Sequence, residues 1–116
     1  MLSAAEAAAA ESVAIRGAQV ADQIRDLVAS WLMRDFQGTI ISVTVVTLSS
    51  DMRVATVWIR TFPMSKNTGV LRDIRRKVSR YQHNLQRAMP RRNVPILIFR
   101  PDSTEEEMER IDTLLK

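Results

Sequence analysis

The sequence has no cysteine and a single histidine, which limits the chemistry that it can support. Without cysteine there is no disulfide framework, no thiolate nucleophile and no cysteine-ligated zinc. His83 lies among arginines, where contact with phosphate is a simpler role than general-base catalysis. Ser49, Ser50 and Asp51 resemble a nucleophile cluster, but a turn between two strands explains them fully, and the core pattern offers no histidine to activate a serine. We therefore expect no enzyme activity, no metal site, no cofactor and no small-molecule substrate.

Glycine is also scarce, and aromatic residues make up 5% of the chain. Gly17, Gly38 and Gly69 form no GxxG motif, and no predicted strand is rich in aromatic residues, so the commonest single-strand RNA readers are disfavoured. Every apolar run is interrupted well before the length that crosses a bilayer. Glu6 and Glu11, without a basic region before them, argue against a targeting peptide. These features predict a cytoplasmic protein.

Positive charge is abundant and unevenly distributed. The formal net charge is +4, and ten of the seventeen lysines and arginines lie between residues 66 and 100, where Asp73 is the only acidic residue. The stretch 102–112 is acidic instead. This segregation indicates a basic surface with an anionic partner, and a separate acidic element.

Apolar spacing predicts an α+β chain with the order α-β-β-α-β-α. The first half contains a helix and an antiparallel strand pair, at Ala18–Asp35 (stopped by Gly38), Thr39–Ser49 and Val54–Phe62. The second half contains a helix with Thr68 as N-cap, a third strand with Leu97 and Phe99 facing the core, and a short C-terminal helix with a Ser103/Glu106 capping box. The main helix and third strand are predicted at Leu71–Met89 and Val94–Arg100. Residues 1–15 are expected to be flexible, and 16–116 to form one domain.

The basic residues of the second helix gather on one side, which we call the basic face. At about 100° per residue, its central positions share a narrow sector opposite the apolar stripe. The members that we predict to bind RNA are Arg72, Arg75, Arg76, Lys77, Arg80, His83, Arg87, Arg91 and Arg92.

A solvated helix face would normally mix both signs of charge. Like charges at i,i+4 repel, and the series Arg72, Arg76 and Arg80 has this repulsion twice with no carboxylate to relieve it. A preference for arginine over lysine also suits bidentate phosphate contact. The pattern favours nucleic acid, bound chiefly through phosphates and the shape of a structured RNA. The main alternative is a basic amphipathic helix on a membrane, but the apolar stripe is better used in covering the sheet.

A second candidate contact involves Arg53, Trp58 and Arg60. Trp58 shares a strand face with Arg60, turned away from the Ala55 and Val57 side. One interpretation is a half-buried tryptophan shielded by the N-terminal segment or by a neighbouring side chain. The other is stacking on a base or on a ribosomal protein.

Four segments give the chain a resemblance to the ribosome-binding factor A family. RGAQVADQIRDLVASWL resembles the first helix of that family, and SVTVVTLSSDMRVATVWI resembles its first hairpin. VPILIF resembles its VPEL-F strand, and DSTEEEMERIDTLL resembles its closing D-S-…-R-I-D-x-L-L segment. Together these segments run from about Arg16 to Leu115 in the order of the family.

The resemblance implies a type II KH-like domain, in which helices back one face of a three-stranded sheet in the order α-β-β-α-(kink)-α-β. The family replaces the KH GxxG loop by an Ala-x-Gly kink, whereas this chain has Lys77-Val78-Ser79 there. Because glycine is absent, we expect one long helix, or two helices with only a mild bend near Ser79.

The resemblance also implies a function. The family binds the immature 30S small ribosomal subunit near the decoding region of 16S rRNA, and it assists late maturation, rRNA end processing and cold adaptation without catalysis. We expect this chain to do so as a monomer. A general basic RNA-binding or RNA-chaperone domain, not specific to the ribosome, remains the alternative.

Overall fold

The computed structural model describes residues 15–89 and 93–102. The elements, in chain order, are α1 (Ile15–Asp35), β1 (Ile40–Leu48), β2 (Val54–Phe62), α2 (Asn67–Arg76), α3 (Val78–Ala88) and β3 (Ile96–Pro101). The predicted C-terminal helix, residues 1–14 of the predicted flexible segment, and Arg91 and Arg92 lie outside the described residues. The division into a flexible segment and one domain stays a prediction.

The three strands form one sheet with β2 in the centre. β1 pairs with β2 in antiparallel fashion, and β3 pairs with β2 in parallel. The helices α2 and α3 supply the crossover that a parallel pair requires. The second predicted strand has the predicted bounds. The third begins at Ile96 and not at Val94, and the N–H of Ile96 donates to the Arg53 carbonyl at 2.8 Å.

The core lies between the helices and one face of the sheet. Ala55, Val57 and Ile59 of β2 are fully buried there, and Leu97 and Phe99 of β3 are 3% and 2% exposed, as their alternation predicts. Helix α1 adds an apolar stripe at helical spacing, which consists of Val20, Ile24, Val28, Trp31 and Leu32. Local periodicity therefore identified the sides of α1, β2 and β3 that face the core.

The second predicted helix is two helices, broken at Lys77. Lys77 has φ −102° and ψ 3°, and its N–H donates to the Ile74 carbonyl at 2.9 Å, three residues back. The ordinary α-helical hydrogen bond, from an N–H to the carbonyl four residues back, resumes at Tyr81, whose N–H donates to the Lys77 carbonyl at 3.1 Å. The break lies two residues before Ser79, where a bend was expected. The φ angle of Lys77 is negative, so a residue with a side chain adopts this conformation and glycine is not required.

The start of α2 differs from the sequence prediction. Thr68 was expected to cap this helix, but it lies inside it, and the N-cap position is Lys66, which makes no side-chain capping bond. A 3-10 turn at Met64–Lys66 precedes the helix, and Lys66 already has helical dihedral angles. Because the 3-10 turn continues directly into α2, the helix begins two residues earlier than an N-cap at Thr68 implies, and it has no side-chain cap.

The opposite face of the sheet is not covered by the described helices. Ile96 and Ile98 of β3 are exposed there and pair with Val54 and Thr56 of β2. Trp58 lies farther along the same face of β2, where its partner in β3 is Arg100. β1 is irregular between Val43 and Val45, and Thr44 has no partner in the register with β2. This bulge lets β1 change faces partway along its length. No helix in residues 15–89 or 93–102 has the length and apolarity of a membrane span.

Candidate nucleic-acid interface

The helices α2 and α3 place the basic face outward despite the break at Lys77. Ile74, Tyr81 and Leu85 are fully buried on the opposite side. The exposed members of the basic face are Arg72, Arg75, Arg76, Arg80, His83 and Arg87, whereas Lys77 is half-buried. The apolar contacts therefore anchor both helices to the sheet and fix the direction in which their cations project.

Three of the exposed arginines of this face have no side-chain partner in the part of the chain that the structure describes. Arg72, Arg76 and Arg87 are exposed, and within residues 15–89 and 93–102 none of them forms an ion pair or a side-chain hydrogen bond with the protein. Each guanidinium carries a fixed charge and a planar set of donors that matches a phosphate. These three side chains have the chemistry and the access that phosphate binding requires.

Arg80 has a different environment from these three. Its Nη2 donates to Asp35 Oδ2 at 2.5 Å, and Asp35 is the last residue of α1. The expectation that no carboxylate relieves the series Arg72, Arg76 and Arg80 was therefore wrong. It considered only the helix sequence, whereas the carboxylate comes from a helix that is distant in sequence and adjacent in the fold.

Tyr81 completes this contact between α1 and α3. Its hydroxyl donates to the same Asp35 oxygen at 2.7 Å, and its ring stacks on Trp31 with centroids 5.9 Å apart. The hydrogen bond from Tyr81 and the charges of Arg80 and Lys77 hold the pKa of Asp35 below its usual value, against the opposing effect of burial. Burial and the bond to Asp35 raise the pKa of Tyr81 to about 12. Asp35 is thus a carboxylate at neutral pH, and Tyr81 keeps its proton.

Two further members of the basic face contact residues outside α2 and α3. The Lys77 ammonium lies 4.9 Å from the centroid of the Phe36 ring, a cation–π geometry. Arg75 Nη2 donates to the Phe99 carbonyl of β3 at 3.2 Å. Both side chains therefore have structural partners that the helical wheel could not indicate, while the wheel correctly placed the exposed positions.

Sequence reasoning did not identify Asp35. A signal for it existed, because a buried tyrosine hydroxyl needs a hydrogen-bond partner and Tyr81 belonged to the predicted apolar stripe. The sequence could not say which acceptor would supply it. Asp35 and Tyr81 are 46 residues apart.

The second candidate contact lies on and beside the open face of the sheet. Trp58 is half-buried, and its Nε1 donates to Thr47 Oγ1 at 3.1 Å. Arg60 Nη1 donates to the Asp102 carbonyl at 3.4 Å. Arg53 precedes β2 in the hairpin turn, and its side chain is 84% exposed. Trp58 and Arg60 share one face, as predicted, and Arg53 lies outside the strand.

The possible nucleophile cluster is a turn. Ser49 Oγ donates to Asp51 Oδ1 at 2.7 Å, and the same carboxylate oxygen accepts the Arg53 N–H at 3.1 Å. The Val54 N–H donates to Ser49 Oγ at 3.0 Å. The bonds from the Ser49 hydroxyl and the Arg53 N–H lower the pKa of Asp51, and the Ser49 bond has the larger effect. The Ser49 hydroxyl is thus committed to the turn geometry, with no imidazole among its hydrogen-bond partners in the described chain.

Comparison with known proteins now identifies the family. A sequence model described as "Ribosome-binding factor A" matches residues 16–115, which is most of the chain. The chain belongs to the ribosome-binding factor A family. The predicted resemblance is confirmed, and it covers the range that its four segments indicated.

Curated relatives support this assignment. The ribosome-binding factor A of Zymomonas mobilis is 29% identical over 112 residues, covering 91% of this chain and 79% of the relative. That of Paramagnetospirillum magneticum is 30% identical over 106 residues, covering 86% of this chain and 75% of the relative.

Solved structures agree on the fold. The crystal structure of ribosome-binding factor A from Thermus thermophilus has 26% identity and a TM-score of 0.65, covering 73% of this chain and 93% of that chain. A solution structure from Thermotoga maritima has 19% identity and the same TM-score of 0.65, covering 83% and 95%, and shows the fold alone. This chain therefore has the KH-like α+β fold of ribosome-binding factor A.

A third structure places a relative on its partner. It is a Thermus thermophilus ribosome-binding factor A model fitted into a cryo-electron microscopy map of a 30S complex. It has 26% identity and a TM-score of 0.61, and covers 72% of this chain and 92% of that chain. That relative was therefore fitted as part of a 30S complex, and this chain shares its fold.

Proposed function

We propose that this chain binds the immature 30S subunit and assists its late maturation and 16S rRNA end processing, without catalysis of its own. Family membership and the 30S complex of the Thermus relative support this proposal. The observation that carries it is the basic face of α2 and α3, where Arg72, Arg76 and Arg87 are exposed and unpaired within the described chain.

The proposed contact is made mainly with rRNA phosphates. The full candidate set is the basic face, in which Arg91 and Arg92 lie outside the described residues. Arg53, Trp58 and Arg60 form the secondary candidate contact with rRNA or a ribosomal protein. Phosphate contacts carry no sequence information, so specificity would come from the shape of the folded rRNA and from the fixed direction of the arginines.

The direct test is a salt series of binding to purified small subunits. Arg76→Gln together with Arg87→Gln removes two proposed phosphate contacts. The slope of log K against log salt should flatten by roughly 1.4 to 1.8, at about 0.7 to 0.9 per contact. The matched control is Arg25→Gln with Arg100→Gln, which removes the same charge outside α2 and α3. Equal slopes for the two folded variants would mean that the basic face is only a solvated surface.

A second test separates a ribosome assembly factor from a general RNA-binding domain. The protein should sediment with free small subunits and not with assembled ribosomes, whereas a general RNA chaperone would show no such preference. Depletion of the protein should raise free subunits and unprocessed 16S rRNA, most strongly in the cold. Normal processing in depleted cells, or cleavage of rRNA by the purified protein, would contradict the proposal.

A further inference from the structure

Asp35 is placed to compete with RNA phosphate for Arg80. Its carboxylate is largely buried, with 13% of the side chain exposed, and one oxygen accepts from both Arg80 and the fixed hydroxyl of Tyr81. Arg34 Nε lies 3.7 Å from the other oxygen. This carboxylate is the ion-pair partner that the structure gives to a cation of the basic face.

A phosphate could bind Arg80 only at the cost of this contact. Arg80 would have to leave a carboxylate that cannot follow it, because Tyr81 and the end of α1 hold Asp35 in place. Removing one member of such a pair leaves the other charge poorly compensated, which is costly for a group that is mostly withdrawn from water. The Asp35 carboxylate would also repel the approaching phosphate.

We propose that Asp35 withholds Arg80 from phosphate and thereby limits the affinity of the basic face for every polyanion. Arg80 then ties α3 to α1, while Arg72, Arg76 and Arg87 make the phosphate contacts. The inference rests on the proposed function, because it assigns roles within the same RNA-binding surface. A lower general affinity favours RNA whose shape fits all three arginines over RNA that offers only charge.

The first test compares two arginines that lie four residues apart. Arg76→Gln and Arg80→Gln remove the same charge from the same face, and both leave Asp35 intact. We expect Arg76→Gln to flatten the salt slope by about 0.7 to 0.9, and Arg80→Gln to flatten it by less than half of that. The probes are purified small subunits and a short labelled RNA duplex, with circular dichroism as the control for folding.

The second test removes the competing charge. Asp35→Asn keeps an oxygen that can accept from Tyr81 but loses the ion pair with Arg80. If one arginine becomes available, binding of the duplex should tighten roughly five- to eightfold at 0.1 M salt, and the slope should steepen by the value of one contact. Asp26→Asn is the matched control, because Asp26 lies on the same helix, 78% exposed, and pairs with Arg25.

A double variant shows whether the effect passes through Arg80. When Asp35→Asn is added to Arg80→Gln, the gain in affinity for the duplex should be less than half of the gain that Asp35→Asn produces in the wild-type protein. Equal slopes for Arg76→Gln and Arg80→Gln, or a gain that is the same in both backgrounds, would overturn the inference. Wild-type protein that binds the duplex but not the subunits would refute the proposed function alone, since the duplex still tests Asp35. Absence of binding to either probe would refute both.

Discussion

The contact between Tyr81 and Asp35 should contribute measurably to the stability of the fold. Tyr81→Phe keeps the ring, and with it the stacking on Trp31 and the tilted contact with Phe99 at 6.1 Å. It deletes only the hydroxyl, which is the donor of a 2.7 Å bond to a charged acceptor. Hydrogen bonds to charged groups contribute about 1.5 to 3 kcal/mol, so the free energy of unfolding should fall by that amount near neutral pH.

The size of this loss should depend on pH in a way that identifies the bond. The folded pKa of Asp35 is lowered from 3.8, so its stabilisation is complete above that value and is lost as the pH falls through the folded pKa. The pKa of Tyr81 is raised to about 12, so its contribution is complete below its ordinary value of 10.0 and is lost as the pH rises towards 12. The difference between wild type and Tyr81→Phe should narrow in both windows.

Urea unfolding at several pH values measures the difference. Trp58→Phe is the control, because it deletes a neutral hydrogen bond, from Nε1 to Thr47, on the half-exposed face of the sheet. That variant should lose no more than about 1 kcal/mol, at every pH, since neither group titrates in this range. A loss below about 0.5 kcal/mol for Tyr81→Phe, or one that does not change with pH, would refute this account of how α1 is held to α3.

Two further predictions concern the backbone. Gly38 has φ +87°, so Gly38→Ala should destabilise the fold by about 1 to 2 kcal/mol, although nothing lies within 4 Å of the added Cβ. Gly69 lies inside α2 with equally open space around an added Cβ, so Gly69→Ala should stabilise the fold by up to about 1 kcal/mol. Thermal melts should therefore shift the melting temperatures of the two variants in opposite directions, and shifts in the same direction would contradict this prediction. Gln82 bridges α3 to β3, with Nε2 donating to the Pro95 carbonyl at 2.9 Å and Oε1 accepting the Leu97 N–H at 2.8 Å. Gln82→Ala should cost about 1 to 3 kcal/mol by urea unfolding, because it leaves a part-buried N–H unpaired, and an unchanged midpoint would show that water replaces the amide.

The features that the sequence predicted correctly are those set by local periodicity. Alternation along Val54–Phe62 and Ile96–Pro101 identified the buried positions of both strands, because side chains of a strand point to opposite faces in turn. The same reasoning at helical spacing placed Ile74, Tyr81 and Leu85 in the core. Each inference needed only residues within a few positions of one another.

The features that it missed depend on contacts between distant segments. Asp35 meets Arg80 across 45 residues, so no helical wheel of either segment could show the pair. The break at Lys77 coincides with a contact between its ammonium and Phe36, beyond the end of α1. The irregularity around Thr44 in β1 appears only in the pairing with β2. These features require the tertiary arrangement, which local propensity does not specify.

The break between α2 and α3 and the pairing of Arg80 together divide the basic face into two sets of residues. Lys77 lies at the break, and its ammonium contacts the Phe36 ring. Arg80 follows the break and pairs with Asp35 at the end of α1. Arg72, Arg76 and Arg87 are exposed and have no such partner within the described residues. A surface that binds phosphates by shape needs its cations in a fixed arrangement, because the phosphates themselves carry no sequence information. Cations held against α1 would fix the direction of α3, so the pairs that reduce the available charge would also orient the charge that remains.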